Sequence, residues 1–152
     1  MVTLRVGDRA PLFKGIDQDG NKFALSDLKG KKIVLYFYPA ADTPTCTVES
    51  CNLRDNFGLL RKNGYVVVGV SPDEAKDQKK FAQKFHLPFP LIADADKKIS
   101  VAYGVWDMKK LYGREYMGIL RTTFIIDEKG KIEKIFLRPK NKQHAEEILS
   151  KG

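Results

Sequence analysis

Cysteine is scarce in this chain: the 152 residues hold two, Cys46 and Cys51. No second pair exists to complete a four-ligand zinc set, and no disulfide framework can be built from so few. Histidine is equally scarce, with His86 and His144 far along the chain from both thiols. A Cys-x-x-Cys pair is missing, which disfavours a dithiol oxidoreductase. Also missing are a phosphate-binding glycine loop and a dinucleotide fingerprint, so no cofactor is expected, and no metal either. No apolar run approaches the ~20 residues of a membrane-spanning helix, and no internal repeat or low-complexity tract occurs. Met1 to Phe13 carries Arg5, Asp8 and Arg9 and has no apolar signal region, so the expected compartment is the cytosol.

What is present is an ordinary globular balance, 43% hydrophobic and 30% charged, at a length that fits one domain over residues 1–152. Lys and Arg exceed Asp and Glu by 27 − 19 = 8. That excess is spread through short groups such as Lys29-Lys31-Lys32, Lys79-Lys80, Lys97-Lys98 and Lys109-Lys110, mostly beside turns or on helix faces. A solvated surface accounts for it, and no nucleic-acid partner is expected. The aromatics Tyr103, Trp106, Tyr112 and Tyr116 read as core or loop packing rather than a base-stacking platform. His86 reads as a surface or satisfied histidine, and His144 falls in a charged terminal helix.

Hydrophobic patterning gives the order of elements. Phe13–Ile16 and Lys22–Leu25 flank Asp17-Gln18-Asp19-Gly20-Asn21 and predict a small hairpin. Ser26 is placed to cap a helical turn ending at Gly30. Ile33–Tyr38 is a continuous run of β-branched and aromatic residues, hence a buried strand ended by Pro39. Thr43 as N-cap and Pro44 at the first position start a helix. Val48, Leu53, Phe57 and Leu60 line its apolar face, and Gly64 closes it. Tyr65–Val70 is a second buried strand. A helix starting at Pro72-Asp73 buries Phe81, Ala82 and Phe85. Leu91–Ala93 (strand), Lys97–Tyr103 (helix), Thr122–Ile126 (strand), Lys131–Leu137 (strand) and a helix opening at Asn141 complete the set. Alternating α and β elements predict a three-layer α/β sandwich. The last two strands, joined by a tight turn, must be antiparallel, so the central sheet is mixed. A thioredoxin-like sheet with an N-terminal β-hairpin extension fits this order.

The chemistry concentrates between Pro39 and Cys51. Cys46 falls in the first turn of a helix leaving a strand end, where unpaired N–H groups and the helix dipole favour an anion. The thiolate is the reactive form of cysteine, so this is where a nucleophilic thiol belongs. Thr43 directs a hydroxyl to the same turn, able to accept a hydrogen bond from a bound O–H group or to donate towards sulfur, or else serving only as a cap. Cys51 lies five residues on. In an intact helix that spacing separates the Cα atoms by about 8.6 Å, beyond the roughly 7 Å a disulfide tolerates. A bond between these cysteines therefore requires the helix to unwind. Spacing alone leaves open that Cys51 is an inert apolar residue.

Pro39-x-x-x-Thr43-x-x-Cys46 resembles the active-site signature of the peroxiredoxins, and Cys51 at plus five resembles the resolving cysteine of the PrxQ or bacterioferritin-comigratory subfamily. The resemblance extends to Gly7-Asp8-Arg9-Ala10-Pro11, Val34–Pro39, Gly69-Val70-Ser71 and Arg121–Asp127. It implies a thiol-specific peroxidase of antioxidant defence that reduces hydrogen peroxide and alkyl hydroperoxides. Cys46 would be the peroxidatic cysteine and Cys51 the resolving one. Thr43 and Arg121 would bind the peroxide oxygens, Pro39 would shield the pocket, and Glu49 would orient the arginine. The resemblance further implies an intramolecular Cys46–Cys51 disulfide, thioredoxin or a similar dithiol as reductant, and a monomer. Read without it, Arg121 is a surface cation before a strand. The chain departs from the subfamily at Thr45, usually glycine, which stiffens the first helical turn. It departs again at Ala40-Ala41, often more polar in relatives.

Overall fold

The computed structural model describes residues 2–150. Its centre is a five-stranded sheet in the order β5-β4-β3-β8-β9. The strands are β3 (Lys32–Phe37), β4 (Tyr65–Ser71), β5 (Leu91–Ala93), β8 (Thr122–Ile126) and β9 (Ile132–Phe136). Strands β3, β4 and β5 run parallel, while β8 is antiparallel to both β3 and β9. The mixed sheet expected from the sequence is therefore present. The N-terminal hairpin is too, as β1 (Lys14–Ile16) and β2 (Lys22–Ala24). Gln18 in its turn accepts from the Leu91 N–H at 2.8 Å and donates to the Phe89 carbonyl at 3.2 Å, fastening the hairpin beside β5.

The side-chain alternation of β3 divides the interior into two cores. Leu35 and Phe37 point into one, with Val68, Val70, Tyr103, Phe124 and Ile132. Val34 and Tyr36, followed by Tyr38, point into the other, with Cys46, Leu53, Leu60, Phe81, Ala145 and Ile148. The second core is roofed by α1 (Pro44–Asp55), α2 (Phe57–Lys62), α3 (Ala75–Phe85) and α5 (His144–Leu149). The first is covered by α4 (Lys98–Ala102), the N-terminal segment and the strands β6 (Trp106–Leu111) and β7 (Arg114–Ile119). These layers form the three-layer sandwich. Gly69 matters to its packing: a Cβ there would sit 2.9 Å from the Tyr36 ring, which lies under α1. Among the described residues, no helix is long and apolar enough to cross a membrane.

Several local expectations are corrected. Ser26 lies inside a 3-10 turn (Leu25–Leu28) whose cap position is Ala24, with Asp27 accepting from the Ala24 N–H at 3.3 Å. The helix expected to run to Gly64 breaks at Asn56, whose side chain bonds the Asn52 carbonyl at 2.9 Å in competition with the helix ladder. Val48 is exposed rather than packed. The helix expected at Pro72 begins at Ala75, since Ser71 and Asp73 instead form a loop around the Ser71 hydroxyl. Asn141 opens a 3-10 turn, and α5 starts at His144. The pair β6–β7 was not expected at all. Its two-residue turn, Tyr112-Gly113, needs positive φ at both positions (51° and 77°), a conformation tyrosine seldom takes, so the turn signal is half hidden.

Candidate active site

Cys46 occupies the first turn of α1, with Thr43 in extended backbone at the N-cap and Pro44 at the first position. Proline suits that position because its missing N–H would have had no partner. The thiol is fully buried, against Tyr36, Tyr38 and Leu53. Among the described residues, one polar side chain hydrogen-bonds it. Arg121 Nη2 donates to Cys46 Sγ at 3.2 Å, from a residue 75 positions away in the chain. Arg121 lies between β7 and β8, so the antiparallel entry of β8 beside β3 brings the guanidinium to the end of β3, where α1 begins. A guanidinium at this distance stabilises negative charge on sulfur.

Glu49, one helical turn after Cys46, is wholly buried, and its Oε1 lies 3.6 Å from Arg121 Nη1. That is ion-pair distance without a hydrogen bond, and among the described residues neither carboxylate oxygen has a hydrogen-bond partner. Burial pushes the Glu49 carboxyl up to about 7, and the Arg121 charge only partly offsets this. Glu49 and Cys46 thus share one cation from adjacent turns.

Thr43 makes no capping bond with its side chain. Its hydroxyl donates to the Ala40 carbonyl at 3.0 Å, which leaves the oxygen lone pairs as acceptors. Pro39 is half-buried at the exit of β3. The loop between them is clamped from below by groups the sequence did not single out. Asp73 Oδ2 accepts from the Ala41 N–H at 2.7 Å and from the Ser71 hydroxyl at 2.6 Å. Ser71 also accepts from Gln78 Nε2 at 2.8 Å, and Gln78 Oε1 accepts from the buried Tyr38 hydroxyl at 2.5 Å. Lys84 pairs at 2.9 Å with Asp42, which holds a left-handed backbone at φ 59°. Serine and aspartate beside the proline of a strand-to-helix turn were a readable loop signal, but their contact with Ala41 is long-range.

Cys51 is a free, partly exposed thiol on the same unbroken helix. Partial burial pushes its thiol up, with Arg54 acting against this and Asp55 with it. The structure thus brings Cys46, Glu49 and Arg121 together, places Thr43 and Pro39 in the adjoining loop, and keeps Cys51 five residues further along α1. The histidines stand apart. His86 is an exposed left-handed C-cap of α3. His144 is fully buried, bonded to Thr123 at 2.8 Å and Glu147 at 3.1 Å, so it is a packed core histidine rather than part of a charged surface. Tyr103 is core, whereas Tyr112 at the β6–β7 tip is 96% exposed.

A family model for the AhpC/TSA family matches residues 6–135. The chain is 43% identical over 150 residues to the putative peroxiredoxin bcp of Coxiella burnetii, covering 99% of each. Among solved structures, the peroxidoxin BcpB of Mycobacterium tuberculosis superposes with a TM-score of 0.84 at 34% identity, over 95% of this chain and 93% of that one. The bacterioferritin comigratory protein of Xanthomonas campestris, described for its alkyl peroxide reduction activity, superposes with a TM-score of 0.86 at 28% identity, over 98% and 95%.

Proposed function

The chain belongs to the AhpC/TSA family of peroxiredoxins and is a thiol peroxidase acting on hydroperoxides; from that premise we propose which residues carry the reaction and with what partners. Cys46 is the nucleophile. Its sulfur attacks the terminal oxygen of hydrogen peroxide or an alkyl hydroperoxide. An S–O bond forms as the O–O bond breaks, and the departing oxygen takes a proton to leave as water or alcohol. The sulfur, oxidised by two electrons, becomes a sulfenic acid.

The observation that carries this reading is the 3.2 Å contact between Arg121 Nη2 and the fully buried Cys46 Sγ. Arg121 stabilises the anionic sulfur and the negative charge that develops on the leaving oxygen. Thr43, with its hydrogen committed to Ala40, accepts from the peroxide O–H. Pro39 shields the thiol from the loop side. Glu49 holds the far side of the guanidinium.

Cys51 then attacks the sulfenic sulfur; an S–S bond forms and hydroxide leaves as water. With both cysteines on one intact helix, their Cα atoms stand about 8.6 Å apart, so α1 must unwind first. Unwinding also frees Cys51 from the partial burial that disfavours its thiolate. A dithiol protein, thioredoxin or a similar reductant, restores both thiols by exchange. The enzyme works as a cytoplasmic monomer in antioxidant defence, without nucleic acid. A peroxidase assay coupled to thioredoxin tests the assignment: Cys46→Ser is expected to lose all turnover, and a variant that kept it would refute Cys46 as the nucleophile.

A further inference from the structure

The β6–β7 hairpin sends a lysine to the segment that leads into Arg121. Lys109 lies on β6 opposite Tyr116. Its Nζ donates to the Ile119 carbonyl at 3.0 Å, two residues before Arg121. Its aliphatic stem runs across Gly118, where a Cβ would stand 2.9 Å from Lys109 Cδ, so the route exists because residue 118 has no side chain. The short link that follows is fixed on both sides. The Leu120 N–H donates to the Val105 carbonyl at 2.7 Å, and the Leu120 carbonyl accepts from the Thr122 hydroxyl at 2.8 Å. Lys109 therefore pins the start of the segment that aims Arg121 at sulfur.

We propose that Lys109 is a positioning residue of the peroxidase reaction, holding the Ile119–Arg121 segment so that the guanidinium stays on the Cys46 sulfur. Partial burial and the nearby Arg121 charge both disfavour the Lys109 ammonium. The neighbouring Lys110 offers a contrast, since it points to solvent and pairs with Glu115 at 3.4 Å.

This inference rests on Cys46 being the nucleophile, and its test does not depend on turnover alone. In a Cys51→Ser background, the pH profile of Cys46 alkylation by iodoacetamide is compared with the second-order rate of hydrogen peroxide consumption in single turnover. Lys109→Met, which keeps the stem but removes charge and donor, is expected to slow the peroxide reaction roughly tenfold and to move the alkylation profile to higher pH. Lys109→Arg is expected to restore both, and Lys110→Met to change neither. Should Lys109→Met fail to fold, Gly118→Ala displaces the same ammonium and is expected to shift both readouts in the same direction. The proposal is overturned if the variant that folds leaves rate and profile unchanged, or if Lys109→Arg behaves like Lys109→Met. If Cys46 alkylates normally but wild-type protein consumes no peroxide, the peroxidase reading fails instead.

Discussion

Cys46 and Cys51 share a helix and differ in almost every physical respect. Cys46 is sealed from solvent in the first turn of α1, with an arginine on its sulfur. Cys51, five residues later, is half-exposed, beyond the helix's N-terminal field, and its thiol is pushed up by partial burial. In the proposed reaction, position on the element, more than residue type, divides the labour between an attacking thiol and a waiting one. The two proposed steps then exclude each other in one conformation: the pocket around Cys46 requires an intact first turn, and the proposed disulfide requires that turn undone.

The largest way to break the contrast is to remove what distinguishes Cys46. Arg121→Ala is expected to lower the second-order rate with hydrogen peroxide by roughly a hundredfold to a thousandfold, measured by single-turnover kinetics. Cys46 should then alkylate more nearly as Cys51 does. Removing Cys51 isolates the other half. Cys51→Ser should consume one peroxide per chain at an undiminished first-turnover rate, fail to turn over with thioredoxin, and pass to sulfinic acid under excess peroxide, visible by mass.

Glu49 sharpens the comparison through pH. Its carboxyl sits at about 7 in the folded chain against an ordinary 4.5. Below the lower value both folded and unfolded forms are protonated. Between the two, the unfolded chain has lost a proton that the folded chain keeps, so this group's contribution to stability falls as pH rises through the window, by on the order of 3 kcal/mol. Denaturation midpoints of Glu49→Gln should lack that component of the pH dependence.

The smallest expected effect concerns the anchored end of α1. Asn52, next to Cys51, donates to the Lys142 carbonyl at 2.9 Å and accepts from the Ala145 N–H at 2.8 Å. Asn52→Ala should cost about 1 kcal/mol of stability and hasten the resolving step, read by chemical denaturation and stopped-flow kinetics. Tyr36 adds a second anchor through its hydroxyl, 2.9 Å from Ser50 Oγ.

Much of this was legible in the sequence because it is local. The run from Ile33 to Phe37 announces a strand buried on both faces, and Thr43-Pro44 announces the helix start that places Cys46. What was not legible is what arrives from a distance. Nothing near Arg121 in sequence distinguishes it from a surface cation, and the family resemblance alone pointed to it. Lys109 lay inside a hairpin disguised by a tyrosine in left-handed backbone, so even its strand went unread. Asp73 and Gln78 declare themselves only once β4 and α3 are folded against the Pro39–Thr43 loop.

In the proposed reaction these two thiols, held apart by an intact helix, become joined within one chain. Titration of the reduced protein with one equivalent of hydrogen peroxide, followed by mass analysis of the intact chain, tests it directly. A monomeric species lighter by two hydrogen atoms is expected, with the Cys46 and Cys51 peptides crosslinked. A covalent dimer, or a stable sulfenic acid with Cys51 still free, would contradict it.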